Sequence, residues 1–535
     1  RAPDPRAPEA PAAPGKDLPL LARLAAAACG GGLIALSLPP WGWWPLAAVG
    51  MAALWLALAG ARPWRRAAIG MAAGLAQLIP SLWWALSFTV PGYAFLVVVE
   101  SAFFAVASAG VPARRGRALA FPALMLLAEA SRDSWPLGGL PIGSLQLGQS
   151  LGLLLPAARV VGGVGLVGLT ACAGVVLGCL ARLGWRAWAR RGTSQAEGGP
   201  EQGEGRRGGA RAARARRPTR DLVALLVAAT VTVGLPLAGW AAPAGGPAIG
   251  SIRVAAVQGG GPRGLRAFES DQYAVYRRQY LPTTSLRPGY GLVLWPEDVI
   301  SLPGPLSASP IKAQMAALAK SLRTTVVAGV TEDVGASRFR NEVVAWGPQG
   351  RVVDSYEKRH RVPFGEYIPW RSVLGQIFNL EAVPRDAIPG TGPGLLRTPA
   401  GPLGVMISYE VFFPSRDRAA VQAGGQLLLV PTNTASYSTR QIPAQELGAS
   451  RLRAVEAGRN LVQASPTGYS ALISPAGAVS SRSNLGTQDI VTGVVPLRRG
   501  RTLFDRWGEM PDLAACCLAV CGAWAIALAD RRRAR

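Results

Sequence analysis

Eight apolar stretches, spaced so that arginine clusters follow every second one, restrict what this chain can fold into more than any other feature. A helix needs about 20 apolar residues to cross the hydrocarbon core of a bilayer. The stretches run over residues 18–38, 43–60, 67–88, 93–110, 118–130, 157–180, 222–240 and 511–528, the fifth being the shortest. They predict a polytopic helical membrane protein of about eight spans.

Half of the residues are hydrophobic, yet the chain carries a formal net charge of +25. Such a basic balance fits a nucleic-acid binder or a membrane protein with basic loops. The arginines decide between them, because they sit between apolar spans and not along one amphipathic face. Arg62, Arg65 and Arg66 follow the second span, and Arg114, Arg115 and Arg117 follow the fourth. The dense stretch from Arg182 to Arg220 follows the sixth, and Arg531, Arg532, Arg533 and Arg535 follow the eighth. All four clusters thus fall on one side, which the positive-inside rule makes the cytoplasm. Both termini are expected there, in the plasma membrane of a bacterial cell, with the long segment between spans seven and eight facing outward and no nucleic-acid partner.

The expected organisation follows. Residues 1–17 form a disordered Pro/Ala-rich tail, 18–185 the first six spans, and 186–220 a basic cytoplasmic linker, irregular over 192–218. Residues 221–241 form span seven, 249–500 the outer domain, 511–529 span eight, and 530–535 a basic tail. The chain opens at Arg1 with no initiator Met, so its natural start is expected upstream. The first span is too long for a removed signal peptide and lacks a clear small-residue cleavage site, and it reads as a retained helix. Trp41, Trp43, Trp44, Trp83 and Trp84 cluster where an interfacial belt belongs. GGVGLVG at 162–168 supplies small residues for close helix packing.

The polar segment has a different texture. Short β-rich runs recur as IRVAAVQ, GLVLWPE, TTVVAGV, NEVVAWG, PLGVMIS, QLLLVPT, NLVQASP and SALISP, with Ala- and Arg-rich amphipathic stretches at 311–322 and 442–458 between some of them. Strands alternating with helices, and apolar without strict alternation, imply a layered α/β domain whose strands are buried on both faces. Active groups in such sheets gather at strand ends. Glu297, Ser408 and Asn433 each end or directly follow one of these runs. All six cysteines lie in the membrane-like stretches, and the single histidine is His360. No cluster with metal-ligand spacing results, and no metal or cofactor is implied.

Three segments carry a resemblance: WPED at 295–298, YEKRHRVPFGEYIP at 356–369 and VMISYE at 405–410. Together with VAAVQ they resemble the carbon–nitrogen hydrolase, or nitrilase, superfamily, whose fold is an αββα sandwich with a Glu-Lys-Cys triad. Membrane spans on both sides, the PFGEYIP run after the lysine and the SWPLGGLPIGSLQLGQS loop before span six make the chain similar to the apolipoprotein N-acyltransferase family in particular. The resemblance implies transfer of an acyl chain from a membrane phospholipid to the α-amine of a diacylglyceryl-cysteine lipoprotein. It matches Glu297 to the general base, Lys358 to the triad lysine, Glu366 to the second glutamate, and Tyr409 and Glu410 to the residues after the nucleophile. Asn433 keeps the first position of a loop that in the family reads Asn-Asp-Ala-Trp. Here the acidic and Trp positions are lost from TNTASYS, and Tyr437 stands in for part of the aromatic surface.

The nucleophile position holds Ser408 where the family has cysteine. A thiol ionises readily beside an ammonium, whereas a hydroxyl needs its proton removed during attack. His360 lies two residues from Lys358, on the same side if the strand continues, although a structural hydrogen bond is the plainer account of it. Ser408 also fits the plainer description of a small buried residue with a backbone partner. Three readings therefore stand at this point: a monomeric acyltransferase using Ser408 or acting by a direct route aided by Glu297 and Lys358, a catalytically silent paralogue that binds lipoproteins or a partner enzyme, and a membrane-tethered amidase or lipid hydrolase.

Overall fold

The computed structural model describes residues 18–196, 207–261, 271–376, 380, 383–435 and 440–534. The expected disordered tail at 1–17 lies outside them. Helices stand at all eight expected places: Leu20–Ser37, Pro45–Ala57, Pro63–Ser81, Val90–Gly110, Arg117–Arg132, Ala158–Ala196, Arg207–Ala241 and Met510–Ala534. Among the described residues, five helical stretches are long and apolar enough to cross a membrane: Leu20–Ser37, Val90–Gly110, Leu155–Trp188, Leu222–Ala241 and Met510–Arg533. Of the other three helices, Pro45–Ala57 is short, and Pro63–Ser81 carries Arg65 and Arg66 in its first turn. The basic linker also differs from expectation. Where it is described, helix continues to Ala196 and resumes at Arg207, because Ala and Arg are strong helix formers that prolong the flanking spans.

Three of the basic clusters meet at one end of the bundle. Arg66 donates to Ala109 O (2.9 Å), Gly60 N to Ala113 O (2.9 Å), and Arg115 pairs with Asp530 (2.6 Å). The opposite end carries the α/β domain. Gly162, expected only to ease helix packing, breaks the helical path with φ +63°, and a Cβ there would lie 2.2 Å from the Phe504 ring. That glycine lets the segment leading into the last helix press against the bundle.

The α/β domain is two sheets packed face to face. In the eight-stranded sheet the path runs Asp489–Arg498, Ala248–Gln258, Leu292–Leu294, Thr325–Val334, Arg338–Trp346, Val352–Glu357. In the six-stranded sheet it runs Val479–Arg482, Ala471–Ile473, Leu461–Ala464, Leu427–Pro431, Gly401–Val405, Leu395–Thr398. Period-two alternation assigns each face. Val254, Ala256, Leu292 and Leu294 share a core with Leu403, Val405, Leu427 and Leu429 of the second sheet. Ala255, Val257 and Val293 point the other way, into a layer with helix Pro310–Leu322. On the far side of the second sheet, Leu428, Val430 and Leu461 join one continuous core with Ile34, Met51 and Phe104 of the membrane helices. This layer contains helix Gln441–Ala457, and all but Ala444 and Arg451 of it is buried. A fully buried Leu is worth about 1.5–3 kcal/mol relative to exposure, so this shared core binds the two halves strongly.

Candidate active site

Glu297 follows the short strand Leu292–Leu294 on a turn held by Trp295 N to Val327 O (2.8 Å) and Gly329 N to Pro296 O (3.0 Å). A Cβ on Gly329 would come within 2.5 Å of Glu297 Cα, so the neighbouring strand needs glycine for the carboxylate to sit where it does. Lys358 lies one residue beyond strand Val352–Glu357, its N–H donating to Asn341 O (2.8 Å). Its Nζ is 2.8 Å from Glu297 Oε1 and 2.8 Å from Glu366 Oε1. Asn341 Nδ2 donates to the same two oxygens at 2.8 and 2.9 Å, and Val362 N donates to Glu366 Oε2 at 2.8 Å. Lys358 is 2% exposed and Glu297 5%, so this is a buried, closely compensated charge group. Burial pushes the Glu297 carboxyl above the usual range and the Glu366 charge adds to that, against the pull of Lys358. Burial also opposes the Lys358 ammonium, but the two carboxylates overcome it and hold the amine firmly protonated.

Ser408 is not the end of a strand. The strand stops at Val405, Met406 N still pairs with Leu429 O (3.0 Å), and Ser408 opens a 3-10 turn, Ser408–Phe412. Its φ is +48°, a left-handed conformation that costs a non-glycine residue roughly 1–2 kcal/mol and throws the side chain clear of the sheet. Glu410 pins this turn to the lysine segment. Its Oε2 accepts from Ile407 N (2.9 Å), and its Oε1 from Arg359 N (3.0 Å), His360 N (3.1 Å) and Tyr356 OH (2.8 Å). Tyr409 ties the turn to the membrane half, its hydroxyl donating to Gly139 O at 2.9 Å. Glu410 and Tyr409 thus support the turn. Strand alternation does not extend to His360, since the strand ends at Glu357. Its ring stacks on Phe413 with centroids 4.3 Å apart, and burial pushes its pKa down.

Two polar groups join the site without having been singled out in the sequence. Asn341 bridges the two glutamates from a strand interior. Glu446, on helix Gln441–Ala457, lies with Oε1 3.5 Å from Ser408 Oγ and also accepts a short hydrogen bond from Thr432, whose hydroxyl is 3.2 Å from Ser408 Oγ. No local pattern announces Glu446, because its helix is buried nearly all round and its partners lie 14 and 38 residues away. Asn433 turns back on its own loop, accepting from Ala435 N at 3.1 Å. Tyr437 lies outside the described residues.

Comparison with known proteins agrees with this architecture. Residues 30–176 match the apolipoprotein N-acyltransferase N-terminal domain, and residues 253–503 match the carbon-nitrogen hydrolase family. The chain is 30% identical to the apolipoprotein N-acyltransferase of Geobacter metallireducens, covering 94% of each chain. It is 31% identical to that of Mycolicibacterium smegmatis, covering 90% of this chain and 82% of the relative. Among solved structures it is similar to yeast Nit3, a member of branch 10 of the nitrilase superfamily, with 20% identity and a TM-score of 0.35 over 46% of this chain and 90% of that one. The sequence likeness spans both halves of the molecule. The chain belongs to the apolipoprotein N-acyltransferase family.

Proposed function

We propose that this protein moves an acyl chain from a membrane phospholipid to the α-amine of diacylglyceryl-cysteine lipoproteins, acting as a monomer with Ser408 as its nucleophile. The observation that carries this reading is the placement of Ser408. It stands on a strained turn, hydrogen-bonded to Glu446, a carboxyl that feels the charges of the buried Glu297 and Lys358, and the next residue, Tyr409, is bonded to the membrane half. A two-chain lipid could then meet the nucleophile without leaving the bilayer.

In this reading Ser408 Oγ attacks the donor ester and forms an acyl-enzyme, which divides the transfer into two easier steps. The Lys358 ammonium stabilises the oxyanion of each tetrahedral intermediate, and Glu297, in the position of the family's general base, holds that ammonium in place. Glu366 and Asn341 hold that pair in place; Asn433 and Tyr437 belong to the loop that receives the acceptor. The basic end of the bundle faces the cytoplasm with both termini, and the α/β domain faces outward, in the cell membrane of a bacterium.

The test is acyl transfer from phosphatidylethanolamine to a diacylglyceryl-cysteine peptide by the purified protein, alongside Ser408→Ala and Ser408→Cys. Activity in the parent and none in the Ala variant is expected. Turnover by the Cys variant alone would make the natural chain a silent paralogue, and fatty acid released to water without N-acylation would make it a hydrolase.

A further inference from the structure

The serine for cysteine exchange raises a chemical question: where does the hydroxyl proton go? A thiolate beside Lys358 needs no partner at the moment of attack, but an alcohol does. Among the described hydrogen bonds, Glu297 serves Lys358 and Asn341, and His360 is stacked on Phe413. Ser408 Oγ instead donates to Glu446 and accepts from Thr432.

We infer that Glu446 is the proton acceptor for Ser408, acting directly or through the Thr432 hydroxyl, and that it makes an oxygen nucleophile workable in a site whose relatives use sulfur. This rests on Ser408 being the nucleophile. Ser408 Oγ lies 3.5 Å from Glu446 Oε1, within reach for proton transfer, and Thr432 closes the triangle at 3.2 Å from Ser408 Oγ. Glu446 is 2% exposed, its Oε2 has no hydrogen-bond partner, and no ion pair of Glu446 forms among the described residues.

The step balances. Ser408 Oγ bonds to the donor's ester carbon while its proton passes to Glu446, and the carbonyl electron pair becomes an oxyanion. Collapse breaks the bond to the lysophospholipid oxygen, which leaves with that proton, and Ser408 is left as an ester. The neutral α-amine then attacks this ester and gives a proton to the Glu446 carboxylate. Ser408 Oγ departs and takes that proton back.

The charge environment suits the role. Burial pushes the Glu446 carboxyl up to about 8 and the Glu297 charge adds to this, while the Thr432 and Ser408 hydroxyls and the Lys358 ammonium pull it down. The charged groups it faces are thus Glu297 and Lys358, across from its own helix. A carboxyl in this range ionises within about a unit of neutral pH, where it can both accept and return a proton.

The experiment measures acyl-enzyme formation by rapid quench and mass spectrometry, using full-length protein in phosphatidylethanolamine nanodiscs. Glu446→Gln is placed in both the parent and the Ser408→Cys background. In the parent, Glu446→Gln should slow acylation by about 100-fold or more. It should also abolish the rise of the rate with pH through about 8. In the Ser408→Cys background the same change should cost less than about tenfold, because the thiol ionises beside Lys358. An equal loss in both backgrounds would mark Glu446 as structural and overturn the inference, as would a loss below about threefold in the parent. If Ser408→Ala still acylates its acceptor, the nucleophile reading fails and takes this one with it. If Ser408→Ala is dead while Glu446→Gln acylates at the parent rate, only the assignment of Glu446 fails.

Discussion

Lys358 sits between two carboxylates with Asn341 closing the group, and each member is buried only because the others are present. Removing one partner of a buried pair typically costs 3–5 kcal/mol, since it strands the remaining charge. Lys358→Met is therefore expected to destabilise the protein on that scale in denaturant titration, and to lower acyl transfer at least ~100-fold through the lost oxyanion partner. Glu446 gives a second residue-scale test, in the pH dependence of stability. Its folded pKa of about 8 stands above the ordinary 4.5. The folded protein keeps a proton that the unfolded chain releases, so stability is fully present below about 4.5, declines as pH rises to about 8, and is level beyond. Glu446→Gln removes that decline. Its thermal midpoint should exceed the parent's at pH 9, with the gap closing below pH 5, and identical profiles would show that Glu446 carries no such shift. These residues differ in how legible they were. Glu297, Lys358, Glu366 and Glu410 stand in contiguous motifs, whereas Asn341 and Glu446 reach the site only because strands and a helix distant in sequence converge.

Helix Gln441–Ala457 is the element on which the site depends. Glu446 points toward Ser408, the side chain of Gln445 accepts from Gly143 N (2.9 Å), and Gln441 donates to Pro80 O (2.6 Å). One helix thus faces the catalytic turn on one side and the membrane loops on the other. The sequence reads it as amphipathic, with one face for solvent, but a helix covered by a sheet above and a bundle below has no solvent face. The strands were easier to read, because burial on both faces leaves uninterrupted apolar runs such as LVL and LLLVP. The turn at Ser408 was not readable in this way. A positive φ on serine follows from the Glu410 clamp and leaves no local signature. Gly329→Ala tests how tightly a neighbouring strand positions Glu297. The added methyl would lie 2.4 Å from Pro296 O and 2.5 Å from Glu297 Cα, so the backbone there must move. A displacement near 1 Å costs on the order of 100-fold in rate. We expect kcat to fall by about tenfold or more while the protein still purifies as a folded species, and an unchanged kcat would show that Glu297 tolerates the shift.

At the scale of the whole molecule, the two halves share one core, and three of the arginine clusters that follow membrane helices meet at one end of the bundle. Arg115 meets Asp530, and Trp524 Nε1 donates to Gly110 O at 2.9 Å, so the last helix returns to the loop after Val90–Gly110. At the other end, Tyr409 reaches Gly139 and Gln441 reaches Pro80. The meeting of these clusters agrees with their spacing along the chain, although among the described residues three of the eight expected spans fall short of the length or apolarity a crossing requires. Short helices can persist in the bundle because their neighbours, not lipid, cover much of their surface. Leu54 and Trp55 of Pro45–Ala57 and Ile69 and Leu78 of Pro63–Ser81 are all buried. If the basic end faces the cytoplasm, cysteines introduced at the two ends must differ in access to a membrane-impermeant maleimide. Ser337, exposed in the α/β domain, and Arg62, exposed at the basic end, provide the two positions. Ser337→Cys should gain label in intact spheroplasts beyond that taken up by the native cysteines, and Arg62→Cys only after the membrane is opened. The reverse pattern would invert the topology. It would also place the proposed active site on the wrong side of the membrane for exported lipoproteins, so this labelling bears on the function as directly as on the fold.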